Sequence, residues 1–176
     1  EIAQCLVGSE MCIRDSCYSL LREISNAGHT IGIHSASHDY EKIYASVDAF
    51  LEDFNEAYEI VLEATGKAPD IYRFPGGSVN DYNEKTRDDI IAEMDRRGFT
   101  YFDWNVDSND WQGYGWTTLY TNVLKDAEEF SSPVILFHNT GDRDNTVLVI
   151  EDIIKALKNK GYKFGSLSQK IKPVQF

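Results

Sequence analysis

Apolar residues recur along the chain with two different periods, and these periods predict an ordered series of helices and strands. In five segments apolar side chains return every three or four residues, which is the spacing of an amphipathic helix. The predicted helices cover residues 18–28, 46–66, 83–98, 117–130 and 145–161. Between them lie short runs of β-branched and aromatic residues bounded by glycine or proline, which are typical of strands. The predicted strands cover residues 30–34, 70–77, 99–107, 133–140 and 162–167.

The order of these elements predicts an α/β fold with mainly parallel strands. Successive strands are separated by helices long enough to serve as parallel crossovers. Four predicted strands also carry a chemically reactive residue at or near the carboxyl end. These residues are His34, Arg73, Asp107 and His138. Because ligands bind at the carboxyl ends of parallel strands, and these ends converge in a barrel, the pattern favours a barrel with one pocket.

Composition and charge narrow the class of function. The chain has 176 residues, enough for one domain, and its 17 Lys and Arg against 29 Asp and Glu give a net charge of -12. Such a surface repels phosphate backbones and anionic membranes, so we expect no nucleic-acid partner. No apolar run reaches the roughly 18 residues that a membrane helix needs, so we expect no membrane span in this chain.

The first sixteen residues differ from the rest of the chain. Residues 5–16 read CLVGSEMCIRDS, which matches the translation of a transposase sequencing adapter. We interpret residues 1–16 as a sequencing-adapter artefact or non-native segment, and residues 17–176 as the genuine domain. On this interpretation Cys17 is the one native cysteine, so an internal disulfide is not expected.

His34 and His38 are candidate metal ligands. They lie four residues apart at the end of an apolar run, and two imidazoles with this spacing reach one divalent ion when the backbone between them turns. The alternative is a buried structural histidine beside a surface one. Their position at a strand end favours the metal site, but the residues alone do not indicate a third ligand.

The segment RFPGGS, residues 73–78, is the second candidate. Arg73 could clamp a carboxylate through two hydrogen bonds. The turn after Pro75 could present the N–H of Gly76 to a developing oxyanion. The alternative is a plain turn at the end of a strand, with an arginine that faces solvent.

The segments DSNDW, residues 107–111, and LFH, residues 136–138, form the third candidate. A carboxylate that hydrogen-bonds to an imidazole fixes its tautomer, which is the arrangement a general acid needs. The alternatives are loop capping by Asp107 and Asp110 and a buried, neutral His138.

Two other stretches predict ordinary roles. The acidic stretch LEDFNEAYE, residues 51–59, is interpreted as the solvated face of its helix. The aromatic stretch DWQGYGWTTLY, residues 110–120, could stack on sugar rings or fill the space under a loop.

Taken in order, HSASH, RFPGGS, DSNDW and LFH make the chain similar to the polysaccharide deacetylase family, carbohydrate esterase family four. The resemblance covers nearly all of residues 18–176. It implies a distorted (β/α) barrel that removes N-acetyl or O-acetyl groups from sugar polymers with the help of a divalent metal, commonly zinc.

The resemblance also implies roles for individual residues in the first half of the chain. His34 and His38 would be the two histidine ligands of the metal. Arg73 would orient the carboxylate that acts as catalytic base, and the N–H of Gly76 would help to hold the oxyanion.

In the second half, the resemblance implies a proton donor and a pocket wall. Asp107 would tune His138, and His138 would protonate the leaving amine. Trp111 and Leu136 would form the wall around the acetyl methyl group.

The chain departs from the family pattern at its beginning. The family has a Thr-Phe-Asp-Asp-Gly type segment that supplies the base and the third metal ligand, and no such segment occurs here. We therefore expect an N-terminally truncated domain whose incomplete barrel lacks its first strands. We also expect the printed chain to be nearly inactive and its full-length parent to be active.

The leading hypothesis is a deacetylase that acts outside the cell or at its surface, with a signal or anchor upstream of the truncation. Peptidoglycan or another N-acetylglucosamine polymer is the expected substrate, with chitin oligosaccharides and acetylated xylan left open. One alternative is a non-catalytic carbohydrate-binding relic of the same fold. Another is a metal-dependent amidase that acts on a small molecule.

Overall fold

The computed structural model describes residues 11–138 and 144–176, and the chain divides into two compact units. The first unit comprises the described residues up to Asp103 together with Ser166–Phe176. The second unit comprises Trp104–Gly165. Each unit has its own pair of parallel strands and its own apolar core.

The first unit contains four helices and one strand pair within its described residues. Its helices are α1 (Met11–Asn26), α2 (Tyr40–Ile43), α3 (Val47–Thr65) and α4 (Arg87–Arg96), and its strands are β1 (Ile71–Tyr72) and β2 (Thr100–Tyr101). The predicted boundaries of α3 are confirmed. The Ser46 hydroxyl accepts the N–H of Ala49 at 3.1 Å, and Gly66 ends the helix with a left-handed φ of 69°.

The strands of the first unit are parallel, as predicted. Ile71 lies opposite Thr100 in the β1–β2 pair. The strand predicted at 30–34 forms only an isolated parallel bridge, in which Ile33 pairs with Tyr72. This bridge carries the chain directly to His34.

Aromatic side chains fill the core of the first unit between α3 and the strands. Phe54 packs edge-on against Tyr72 with ring centroids 6.0 Å apart, and Phe50 contacts Phe74 at 5.6 Å. The Tyr72 side chain is buried, yet its hydroxyl has no hydrogen-bond partner among the residues that the structure describes. Within the described part of the chain, nothing replaces the hydrogen bonds to water that this hydroxyl lost on folding.

The second unit is also a pair of parallel strands covered by helices, with fewer elements than the first. Its elements are β3 (Val106–Asp107), a short 3₁₀ helix (Asp110–Gln112), α5 (Trp116–Ala127), β4 (Ile135–Leu136) and α6 (Asp144–Asn159). β3 and β4 pair in parallel, with Val106 opposite Ile135. Aliphatic side chains from α5 and α6 cover this pair and form the core.

Three further sequence predictions differ from the structure. α1 begins at Met11 rather than at residue 18, and α4 begins at Arg87 because turns occupy residues 81–86. Residues 162–167 form no strand, since all but Leu167 are exposed or half-buried and give a strand no buried face.

Some predictions fall wholly or partly on residues outside those described. The interpretation of residues 1–16 falls partly on 1–10, which lie outside the described residues, and so do positions 139 and 140 of a predicted strand. In the part of the chain that the structure describes, no helix has the length and apolarity needed to cross a bilayer.

Candidate functional site

The imidazole rings of His34 and His38 lie close together in the first unit, with centroids 5.1 Å apart and planes inclined by 48°. Their Nε2 atoms are 3.2 Å apart. The Nδ1 atom of His34 lies 3.0 Å from the carbonyl oxygen of Arg73. Because a carbonyl only accepts, Nδ1 of His34 carries the proton and Nε2 is left with a lone pair.

This spacing fits a shared divalent metal ion. Two imidazole nitrogens that bind one tetrahedral zinc ion at about 2.0–2.1 Å lie roughly 3.3 Å apart. The hydrogen bond from Nδ1 of His34 to a backbone carbonyl is also the usual support of a histidine ligand. Within the described residues, no group of three or more His, Cys, Asp or Glu side chains is placed to hold a metal.

A buried carboxylate shapes the loop that joins the two histidines. The Asp53 side chain on α3 accepts hydrogen bonds from the Ser35 hydroxyl at 2.8 Å and from the N–H groups of Ala36 and Ser37, each at 2.9 Å. The Ser35 hydroxyl in turn accepts the N–H of His38 at 2.7 Å. These bonds stabilise the turn in which His38 adopts a left-handed φ of 55°.

Burial and hydrogen bonding act in opposite directions on the pKa of Asp53. Burial alone would raise this pKa, but the hydrogen bonds from Ser37, Ala36 and Ser35 outweigh it and hold the pKa below its usual value. Asp53 is therefore a charged acceptor at neutral pH. The interpretation of residues 51–59 as a solvated face is wrong at this position, since Asp53 is only 4% exposed.

Arg73 is buried and spans the first unit from the histidine site to the end of β2. Its Nε donates to the carbonyl of Phe102 at 2.9 Å and its Nη2 to that of Asp103 at 3.3 Å. Burial lowers the pKa of Arg73 to about 10, although the nearby Asp103 charge opposes this. The predicted solvent-facing alternative is wrong, and the predicted role of Arg73 toward a catalytic base stays a prediction.

The turn after Pro75 depends on two glycines in the left-handed region. Gly76 has a φ of 75° and Gly77 a φ of 82°, which glycine adopts without strain. The Pro75 carbonyl accepts the Tyr44 hydroxyl at 2.7 Å. The N–H of Gly76 is at an exposed position and donates to no acceptor within the described part of the chain.

Asp103 anchors the far side of this turn. Its carboxylate accepts the N–H of Ser78 at 2.8 Å and the Ser78 hydroxyl at 2.6 Å. It also accepts the N–H of Phe176 at 2.9 Å. Asp103 and Ser78 are both fully buried, so the turn rests on a rigid base.

In the second unit, His138 is held by Asp110. Nδ1 of His138 lies 2.7 Å from Oδ1 of Asp110. The other carboxylate oxygen accepts the His138 N–H and the Thr146 hydroxyl, both at 2.9 Å. Burial would raise the pKa of Asp110, but the hydrogen bonds from His138 and Thr146 outweigh it and lower the pKa.

The predicted contact between Asp107 and His138 is wrong. The Asp107 carboxylate accepts the N–H of Asn109 at 2.8 Å, so it caps the turn that follows β3. Asn109 has a left-handed φ of 55°, and this reversal carries Asp110 into the interior toward the imidazole. The sequence pattern predicts only a capping role for Asp110.

The two predicted wall residues lie in different environments of the second unit. Leu136 is buried in β4 opposite Asp107, whereas the Trp111 side chain is 55% exposed in the 3₁₀ helix. The structure therefore places Trp111 at the surface and Leu136 in the interior. Their roles around an acetyl group stay predictions.

The family model described as polysaccharide deacetylase matches residues 3–98. The chain is 31% identical over 159 residues to the putative polysaccharide deacetylase YheN of Bacillus subtilis, covering 88% of this chain and 54% of that protein. It is 30% identical to a peptidoglycan-N-acetylglucosamine deacetylase of Bacillus cereus, covering 82% of this chain and 52% of that protein. The chain thus spans about half the length of these curated relatives.

A solved structure has the same fold. The catalytic domain of peptidoglycan N-acetylglucosamine deacetylase from Eubacterium rectale is 30% identical, with a TM-score of 0.85, covering 92% of this chain and 76% of that one. This likeness confirms the predicted fold class, the distorted (β/α) barrel of these deacetylase catalytic domains.

Proposed function

Because this chain belongs to the polysaccharide deacetylase family, we propose that it is built to remove N-acetyl groups from a polysaccharide in a metal-dependent hydrolysis. Peptidoglycan or another N-acetylglucosamine polymer is the proposed substrate. The observation that carries the proposal is the 3.2 Å spacing of the Nε2 atoms of His34 and His38. As peptidoglycan lies outside the membrane, we place the reaction outside the cell or at its surface.

The proposed cofactor is a divalent metal, most simply zinc, held by His34 and His38. When bound, such an ion polarises the acetamido carbonyl and makes a water molecule nucleophilic. The Arg73 carbonyl keeps Nδ1 of His34 protonated, so that Nε2 is the ligating atom. The N–H of Gly76 would donate a hydrogen bond to the acetyl oxygen as negative charge develops there.

The proposed proton donor to the departing amine is His138. Its Nδ1 is tied to Asp110, so Nε2 is the nitrogen that carries the transferred proton. Asp110 takes the positioning role that the sequence had assigned to Asp107. Trp111 and Leu136 remain the proposed wall residues.

We also propose that the printed chain is a slow catalyst. The sequence from Tyr18 onward contains no segment of the Thr-Phe-Asp-Asp-Gly type, and a general base contributes about 10²–10⁴-fold to such reactions. Removal of a proton from the attacking water would then fall to the solvent.

The test is acetate release from tetra-N-acetylchitotetraose by the zinc-loaded chain, with and without added formate as an external base. We expect slow release that formate accelerates, that EDTA abolishes and that His34→Ala lacks. Release no faster than in the His34→Ala variant would refute metal-dependent deacetylation by this chain. A turnover near the roughly 10 per second that is ordinary for enzymes would refute only the slow-catalyst proposal.

The second candidate is a carbohydrate-binding relic of the same fold. The observation that favours it is that the metal-ligand set found within the described residues stops at two histidines. Glycan binding that is unaffected by zinc, together with no acetate release in formate, would support this candidate over the enzyme.

A further inference from the structure

We propose that Tyr40 and Tyr82 form a sugar-binding subsite beside the histidine pair, which takes one pyranose ring of an N-acetylhexosamine polymer. The inference rests on the proposed function and adds the side chains that hold the glycan. All of the residues involved belong to the first unit.

The two tyrosines continue a row of rings that begins at His38. The ring centroids of His38 and Tyr40 are 5.2 Å apart. Those of Tyr40 and Tyr82 are also 5.2 Å apart, with their planes inclined by only 20°. The row ends at Tyr82, which is 53% exposed and therefore offers apolar ring surface to solvent.

Tyr40 is a firmly held member of this row. Its ring is half-buried and stacks on Tyr44 with the planes inclined by 11°. The Tyr44 hydroxyl in turn donates a hydrogen bond to the Pro75 carbonyl. A ring held in this way costs little entropy when it binds a sugar.

Tyr40 also covers the Gly76 turn. A Cβ atom at Gly76 would lie 3.3 Å from Cε1 and 3.4 Å from the hydroxyl oxygen of Tyr40. Tyr40 thus packs closely against Gly76, and its hydroxyl lies beside the residue whose N–H is proposed to bind the acetyl oxygen. A side chain at position 76 would therefore press against the Tyr40 ring.

The chemistry of this surface favours a pyranose ring. Its flat aromatic faces pack well against the C–H face of a sugar, and the hydroxyl at the ring edge can bond a sugar oxygen. The net charge of -12 disfavours an anionic occupant. In the second unit, Phe164 is 46% exposed and belongs to no candidate site, so its ring provides a control.

The experiment is a calorimetric titration of the 176-residue chain with tetra-N-acetylchitotetraose. We expect Tyr82→Leu and Tyr40→Leu to bind the tetramer roughly five- to tenfold more weakly than the unchanged chain. Tyr82→Phe, which keeps the ring, and Phe164→Leu, which alters the control ring, should bind it as the unchanged chain does. Because Tyr82 is exposed, its Leu variant carries the test even where Tyr40→Leu fails to fold.

Two results would overturn the proposal and are distinguishable. If the unchanged chain binds the tetramer and neither Leu variant weakens it, the subsite is refuted and the proposed function stands. If the unchanged chain binds zinc but not the tetramer, the subsite and the polysaccharide substrate are refuted together.

Discussion

Both units combine histidine with a buried aspartate, but they do so in opposite ways. In the first unit, Asp53 binds the loop between His34 and His38 and leaves the rings to other contacts. In the second unit, Asp110 binds the ring of His138 directly. The same residue types therefore serve two different purposes.

The difference shows what each carboxylate controls. A carboxylate that accepts backbone N–H groups decides where a ring stands, whereas one that accepts a ring N–H decides which nitrogen carries the proton. The first arrangement suits a pair of metal ligands, and the second suits a proton donor. Substitution of Asp53 should therefore change zinc affinity, whereas substitution of Asp110 should change the tautomer of His138.

The largest expected effect follows from removing a ring of the histidine pair. His34→Ala should lower zinc affinity at least about 100-fold, because it deletes one of two facing nitrogens. Competition with a chelating dye would measure this. His29→Ala is the matched control, and equal losses in both variants would contradict the assignment of His34 as a ligand.

Asp53→Ala should have the next largest effect. It leaves the Ser35 hydroxyl and the N–H groups of Ala36 and Ser37 without their acceptor, at a cost of about 2–4 kcal/mol in the free energy of unfolding. Zinc affinity should fall roughly 10–100-fold as the loop loosens. Glu52→Ala, at the exposed neighbouring position, should change neither quantity, and an unchanged zinc affinity in Asp53→Ala would break the comparison.

Asp110→Asn should alter His138 in the second unit without changing zinc binding in the first unit. The change weakens a charge-assisted bond to His138, so we expect a loss of about 1–2 kcal/mol in unfolding free energy and an altered His138 tautomer. Nitrogen chemical shifts of the ring would report the tautomer. Zinc affinity should stay within about twofold, and a larger fall would show that the two functions are not separate.

Acidification should weaken both carboxylate arrangements. The pKa values of Asp53 and Asp110 are lower in the folded protein than in the unfolded chain. Their stabilisation is therefore present above the unfolded value of about 3.9 and is lost as the pH falls through the folded values. Measured by urea unfolding, the free energy of unfolding should decline less between roughly pH 6 and pH 3 for Asp53→Asn than for the unchanged chain. Parallel curves would contradict this linkage.

The smallest expected effect concerns the core. Tyr72→Phe removes a buried hydroxyl that has no partner among the described residues, so the free energy of unfolding should rise by about 1 kcal/mol. Thermal unfolding would detect this as a higher Tm. A loss of stability would mean that the hydroxyl makes a bond after all.

The sequence predicted the parallel α/β fold and the strand-end histidines because alternating periods and chain order determine them. It could not distinguish Asp107 from Asp110, since the choice depends on the left-handed turn at Asn109. Asp53 was missed although a signal was present. It lies three residues after Phe50 and four before Ala57, both buried, and so falls on the apolar face of α3.

The predicted strand at 162–167 failed for a different reason. Tyr162 and Phe164 favour strands, but a strand needs a neighbour and a buried face, and neither can be read from a single segment. The strands in the structure are also shorter than the predicted ones. Tertiary pairing, not local propensity, determines these lengths.

The bond between Asp103 and the N–H of Phe176 has a practical consequence for handling the protein. The same carboxylate supports the Gly76 turn through Ser78, so a variant that lacks Phe176 would lose one of the carboxylate's three donors. An affinity tag that is attached directly after Phe176 and displaces this residue would break its hydrogen bond to Asp103. Purification designs should therefore place the tag elsewhere or separate it by a flexible spacer.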